Sequence, residues 1–133
     1  MIGKFTFKNN FINISDNKDC DETGLVKNFY KNLENEKIYL KSNISNKKVN
    51  EIIERDRMLR NINRNLSIKL INSMYQAIEK VLTQFKPKLV VSMAIDSYVL
   101  DLLFLICKKK RIKYVGLISS CINGYFSITV KGV

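Results

Sequence analysis

The chain lacks histidine and tryptophan entirely and contains a single proline, Pro87. Without histidine, Ser-His-Asp chemistry, Cys-His chemistry and histidine-ligated metal sites are excluded within this chain. The three cysteines, Cys20, Cys107 and Cys121, are an odd number at wide spacings. They therefore predict neither a disulfide framework nor a paired-thiolate zinc site, and we expect no bound metal.

Glycine-rich phosphate loops and long apolar segments are also missing. The glycines, at positions 3, 24, 116, 124 and 132, never approach the spacing of a dinucleotide loop or a P-loop, so no nucleotide cofactor site is expected here. No apolar run reaches the roughly 18 residues of a membrane span, and residues 99–107 are interrupted by Asp101. Residues 1–10 contain no apolar run of signal-peptide length. We expect a cytoplasmic protein, with peripheral contact to the inner membrane left open.

Basic residues greatly outnumber acidic ones, with 23 Lys and Arg against 12 Asp and Glu and a net charge of +11. A field of this sign attracts phosphate, in nucleic acid, an anionic membrane surface or a nucleotide. The alternative is a solvated, lysine-rich surface that reflects AT-rich codon usage. The scatter of the charge along the chain favours this alternative. Only Lys108, Lys109, Lys110, Arg111 and Lys113 cluster tightly.

The composition, with 46% hydrophobic and 26% charged residues, is typical of a globular domain. A chain of 133 residues has the length of one domain, so we predict a single α/β domain over residues 1–133. No helix is predicted after the last strand. This ending indicates either a fragment of a larger two-domain protein or a small domain whose last strand lies at the sheet edge.

In the first two-thirds of the chain the patterns predict mainly helices. We expect a short strand at residues 4–7, a loop at 8–22, an amphipathic helix at 24–36 and a short strand at 37–41. A helix begins near Ser45. The clearest periodicity, apolar residues three or four apart from Leu59 to Phe85, predicts a long helix that is broken near residues 61–65 and stopped by Pro87.

The last third predicts strand, helix and strand. Residues 89–93 form a continuous apolar run, which is typical of a parallel strand covered by helices on both faces. A helix at 98–110, with Asp96 or Ser97 as its cap, leads to a second strand at 114–119 and a further strand at 125–130. This order predicts a Rossmann-like three-layer domain with a short, mostly parallel sheet flanked by helices.

Polar residues follow the two predicted parallel strands, where open α/β sheets bind ligands. Residues 92–97 and 119–124 are therefore expected to share one rim of the sheet. Asp96 suits a general base or hydroxyl-binding carboxylate, although capping the next helix is the commoner role for such a residue. Ser119, Ser120 and Asn123 can donate to a sugar or phosphate, but also favour turns. Residues 54–57 predict an exposed helical face with salt bridges.

Five short motifs in the chain occur in a suggestive order. They are Arg55-Asp56-Arg57; Lys86-Pro87-Lys88-Leu89-Val90-Val91-Ser92; Asp96 with Tyr98 and Asp101; Gly116-Leu117-Ile118-Ser119-Ser120; and Asn123-Gly124-Tyr125. In this order, over residues 52–132, the chain resembles the N-terminal, acceptor-side region of bacterial capsule and surface-polysaccharide glycosyltransferases of the two-domain type.

The resemblance implies the acceptor-binding half of an enzyme that is inactive as this isolated chain, with the nucleotide sugar held mainly by a second α/β domain. It makes Asp96 the candidate catalytic base. The residues that would contact a carbohydrate acceptor are Ser97, Ser119, Ser120, Asn123 and Tyr125.

The alternative is a basic, non-enzymatic module that binds nucleic acid or another anionic polymer. The sequence has no tryptophan and no recognisable DNA-recognition helix, so nucleic acid is the less favoured partner. A third alternative is a non-enzymatic, receiver-like interaction domain. The sequence shows no acidic cluster suited to the metal and the phosphoacceptor of such a domain.

Overall fold

The computed structural model describes residues 23–35, 44–120 and 122–130. In these ranges the chain forms, in order, α1 (Leu25–Leu33), α2 (Asn46–Arg55), a 3-10 helix (Leu59–Asn61), α3 (Arg64–Phe85), β1 (Leu89–Met93), α4 (Tyr98–Lys110), β2 (Lys113–Ser119) and β3 (Phe126–Thr129). The strands predicted at residues 4–7 and 37–41, and the loop predicted at 8–22, lie outside the described residues.

The three strands form one mixed sheet in the order β1-β2-β3. Strand β1 is parallel to β2, with Leu89 opposite Lys113 and Met93 opposite Leu117, so the predicted strand-helix-strand unit is confirmed. Strand β3 runs antiparallel to β2, with Ile128 opposite Leu117. The α/β class is confirmed, but one of the two strand pairs is antiparallel. The expectation of a mostly parallel sheet is wrong because the turn after Ser119 is short enough to return the chain as a hairpin.

The long helix predicted from periodicity is α3, which runs for 22 residues. The predicted break near residues 61–65 is confirmed, because the 3-10 helix ends at Asn61 and Asn63 caps α3 by accepting a hydrogen bond from the Asn65 N–H at 2.8 Å. Helix α3 ends at Phe85, and its C-cap residue Lys86 adopts the left-handed conformation with φ of 45° immediately before Pro87. Lys86 thus leaves the right-handed helical region, which a following proline disfavours, and a left-handed residue is a common end of a helix.

Helix α4 lies between the sheet and the other helices. It contacts β1 and β2 on one side and α2 and α3 on the other, while α1 packs against α3. The fully buried side chains of α4, Leu102, Ile106 and Cys107, join Val90 and Tyr114 of the sheet and residues of α3 in one core. This position explains why α4 is apolar on nearly every side.

The other face of the sheet is not covered by any described residue. Because side chains alternate along a strand, Val90 and Tyr114 point towards α4 and their neighbours point away. We call the outward set the open sheet face: its apolar side chains are Leu89, Val91, Met93, Val115, Leu117, Phe126 and Ile128, and Lys113 lies at its amino end. Leu89 is 46% exposed and Ile128 is 70% exposed. The expectation of helices on both faces of β1 is therefore wrong within the described ranges, where the domain has helices on one side of the sheet.

Candidate functional site

The carboxyl ends of β1 and β2 lie side by side at one edge of the sheet. Met93 is the last residue of β1 and pairs with Leu117, and the next N–H, from Ala94, donates to the Leu117 carbonyl at 3.0 Å. The loops that follow the two strands therefore start from the same edge, as the sequence predicts. We call residues 94–97, 119, 120 and 122–125 the carboxyl rim.

The second loop of the carboxyl rim is a hydrogen-bonded turn. The Ser120 N–H donates to the Tyr125 carbonyl at 3.1 Å, and the Ile122 N–H donates to the Ser120 hydroxyl oxygen at 3.3 Å. Gly124 has φ of 84°, a left-handed conformation that favours glycine. The turn interpretation of Ser120 is thus confirmed, while the side chains of Asn123 and Tyr125 extend into solvent.

The first loop of the carboxyl rim carries Asp96, which does not cap α4. Ser97 occupies the N-cap position, yet its side chain makes no capping hydrogen bond. The Asp96 side chain is exposed, and its carboxylate forms no hydrogen bond or ion pair with any residue in the described ranges. The capping interpretation of Asp96 is therefore wrong, and its carboxylate is available to a ligand.

The carboxylate that caps α4 belongs to Asp56, which lies before the 3-10 helix. Its Oδ2 accepts from the Tyr98 N–H at 2.8 Å, and its Oδ1 accepts from the N–H groups of Met58 and Leu59 at 2.8 and 2.9 Å. Asp56 is only 7% exposed. The prediction of an exposed charged face over residues 54–57 is thus wrong for Asp56. The spacing of Asp56 to Met58 and Leu59 is a local capping signal that can be found in the sequence. Nothing in the sequence indicates that Asp56 also accepts a hydrogen bond from Tyr98.

An ion pair fixes the same end of α4. The Arg55 guanidinium donates to Oδ2 of Asp101, a buried residue in the first turn of α4. A carboxylate near a helix N-terminus is also favoured by the helix dipole. Two adjacent residues, Arg55 and Asp56, are thus bonded to the first turn of α4 across 46 and 42 positions of sequence, beside the loop that carries Asp96. The sequence motifs contain Arg55, Asp56, Tyr98 and Asp101 but do not predict the contacts between them.

The opposite end of the sheet is strongly basic. Helices α3 and α4 both end here, and their C-cap residues Lys86 and Arg111 have positive φ of 45° and 57°. The amino-end cluster consists of Lys86, Lys88, Lys108, Lys109, Lys110, Arg111 and Lys113. No acidic residue occurs in residues 86–95 or 102–130 of the sequence. The cluster that the sequence shows at residues 108–113 is therefore enlarged by Lys86 and Lys88 from the end of α3.

Two cations of the amino-end cluster bind neighbouring hydroxyls. Lys109 Nζ donates to the Tyr75 hydroxyl at 3.2 Å, an interaction that raises the pKa of Lys109, and Lys110 Nζ donates to Thr83 Oγ1 at 3.1 Å. The other five make no ion pair with the described residues. An open hollow of about 300 Å³ lies here, lined by Leu82, Thr83, Lys86, Pro87, Lys110 and Ile112. It is at the far end of the sheet from the carboxyl rim.

The chain matches no protein-family model, no curated protein and no solved structure. None of the described helices combines the length and apolar character needed to cross a bilayer. The fold and the carboxyl rim define an α/β domain in which two loops from parallel strands share one edge of a small mixed sheet.

Proposed function

We propose that the chain is the acceptor-binding, N-terminal half of a glycosyltransferase-like protein in bacterial surface-carbohydrate biosynthesis, with a Rossmann-like arrangement and a cytoplasmic location. The observation that carries this proposal is the exposed Asp96 carboxylate at the carboxyl rim, which has no bonding partner among the described residues because Asp56 caps α4 in its place. Carboxyl ends of parallel strands are where α/β sheets bind their ligands. The order of motifs along residues 52–132, which resembles that family, supports the same role.

In this proposal Asp96 is the general base for transfer to an acceptor hydroxyl. The hydroxyl oxygen forms a bond to the anomeric carbon of the sugar, and its proton passes to the Asp96 carboxylate. The bond from that carbon to the phosphate oxygen breaks, and the nucleoside diphosphate leaves with the electron pair. Since this chain has no glycine-rich phosphate loop, the nucleotide sugar is assigned to a second α/β domain, and the isolated chain is expected to be inactive.

Other side chains of the carboxyl rim supply acceptor contacts in this proposal. Ser97 and Ser119 offer hydroxyl groups, and the Asn123 amide can both donate and accept. Ser120 accepts from Ile122 within the turn, and its own hydroxyl proton remains available to a ligand. The Tyr125 ring, 65% exposed, provides an aromatic surface at the end of the same loop.

Acceptor binding by the chain itself can be tested by NMR titration of the ¹⁵N-labelled protein with oligosaccharides prepared from bacterial capsules. We expect amide shifts concentrated in residues 94–97 and 119–125, and weaker binding for Asp96→Asn. Glu54→Gln, which removes an exposed carboxylate from α2, is the matched control and should leave binding unchanged. Shifts confined to the amino-end cluster, or no shifts at all, would argue against an acceptor site at the carboxyl rim.

The catalytic role of Asp96 requires a protein that contains this domain together with a nucleotide-sugar domain. In such a protein Asp96→Ala should lower the transfer rate by about 100-fold or more, as expected for loss of a general base, with an unchanged unfolding midpoint. Full activity of Asp96→Ala would eliminate the proposed base.

A second candidate function is a non-enzymatic module for nucleic acid or another anionic polymer, and the amino-end cluster is the observation that favours it. Affinity for duplex DNA should then fall steeply with salt, with a logarithmic slope of about 0.9 per phosphate neutralised. The absence of binding at low ionic strength would dismiss this candidate.

A further inference from the structure

The open sheet face and the amino-end cluster adjoin each other. Lys113 begins β2 directly opposite Leu89, so its side chain shares the open sheet face, and Lys88 immediately precedes Leu89. Leu89, Val91 and Met93 of β1 are each 46–50% exposed. An apolar surface on the sheet is thus bordered at one end by cations, with no acidic residue in β1, β2 or β3.

We propose that this surface docks on an anionic phospholipid bilayer. The open sheet face then lies at the boundary between headgroups and acyl chains, and Lys88 and Lys113 contact lipid phosphates. A basic border attracts an anionic membrane, and buried apolar area provides the remaining affinity. At the other end of the face, Phe126 is an exposed aromatic side chain, which suits the membrane interface.

Charge complementarity selects this occupant over two others. A second copy of the chain would bring another net charge of +11 against a sheet that holds no acidic residue. Nucleic acid would satisfy the cations but would leave the aliphatic side chains of Leu89, Val91 and Ile128 in water. The anionic bilayer covers both the charged and the apolar parts. This inference does not depend on the role of Asp96.

Cosedimentation of the full chain with vesicles tests the docking. We expect binding to phosphatidylcholine vesicles that contain about 30% phosphatidylglycerol, and much weaker binding to pure phosphatidylcholine. Raising the salt from about 0.1 M to about 0.5 M should weaken the binding, because it screens the cations. Lys113→Gln should lower the partition coefficient about fivefold, whereas Lys31→Gln on α1, which packs against α3, should leave it unchanged.

The apolar contribution is tested with two leucines of equal exposure. Leu89 on the open sheet face and Leu66 on α3 are both 46% exposed. Leu89→Gln should reduce binding about fivefold or more, and Leu66→Gln should not. Phe126→Ser, at a more exposed position, is a second variant, and circular dichroism verifies that each variant is folded.

Three results would overturn the proposal. The first is an absence of binding to phosphatidylglycerol vesicles at low salt. The second is equal binding by Leu89→Gln, Phe126→Ser and the wild type, which indicates electrostatic adhesion without the sheet face. The third is a dimer in analytical ultracentrifugation that Leu89→Gln dissociates, because a second copy would then cover the face.

Discussion

The Asp56 carboxylate accepts a hydrogen bond from the Tyr98 N–H at 2.8 Å, across 42 positions of sequence. This contact joins the segment after α2 to the first turn of α4. It satisfies an N–H group that the helix itself cannot satisfy and that Ser97 leaves unbonded. It also leaves Asp96, two residues before α4 begins, without a structural role in the described part of the chain.

The two aspartates should therefore differ sharply in their effect on stability. Asp56→Ala removes the acceptor for three N–H groups and should lower the free energy of unfolding by about 3 kcal/mol. Asp96→Ala should change it by no more than about 0.5 kcal/mol. Urea denaturation followed by circular dichroism measures both. Similar losses for the two variants would contradict the capping assignment.

The Arg55–Asp101 ion pair should also contribute to stability, because Asp101 is 4% exposed and Arg55 is its salt-bridge partner. Arg55→Gln leaves a buried carboxylate without a cation and should cost about 2 kcal/mol of unfolding free energy. Adding Asp101→Asn to this variant should recover part of the loss, giving a coupling energy of about 1 kcal/mol in a double-mutant cycle. The exposed Lys48–Glu51 pair is the control, and Lys48→Gln should cost less than about 0.5 kcal/mol.

The Cys107 thiol should resist alkylation in the folded protein. Burial raises its pKa from 9.0 to about 11, and the thiolate is the reactive form. At pH 8 the thiolate fraction should be about 100-fold lower than in the unfolded chain, and exclusion of the reagent should slow the reaction further. Site-resolved mass spectrometry after iodoacetamide treatment, with and without urea, measures the ratio.

The same shift makes stability depend on pH. The neutral, buried thiol contributes its full stabilisation below about pH 9, and this contribution is lost as the pH rises from 9 towards 11, where the unfolded chain ionises first. Comparing wild type with Cys107→Ala cancels the titration of lysines and tyrosines over this interval. An identical slope in the two proteins would contradict the raised pKa.

The sequence by itself determined the local elements whose signals lie within a few residues. The spacing of apolar residues from Leu59 to Phe85 predicted α3 and the break before it, because helical periodicity is a local property. Pro87 predicted the end of α3 in the same way. The order of apolar runs around α4 predicted the parallel pair of β1 and β2, and therefore the shared rim that carries Asp96, Ser119 and Asn123.

Only the tertiary structure decided which polar groups meet and which faces are covered. A carboxylate caps the N–H groups that packing brings near it, so Asp56 rather than Asp96 accepts the hydrogen bond from Tyr98. Packing likewise places Asp101 beside Arg55, with which it forms an ion pair. The apolar run of β1 is the same whether helices lie on one face or two, so the open sheet face could not be predicted from it. Burial and pairing depend on contacts between segments far apart in sequence, and local patterns do not contain that information.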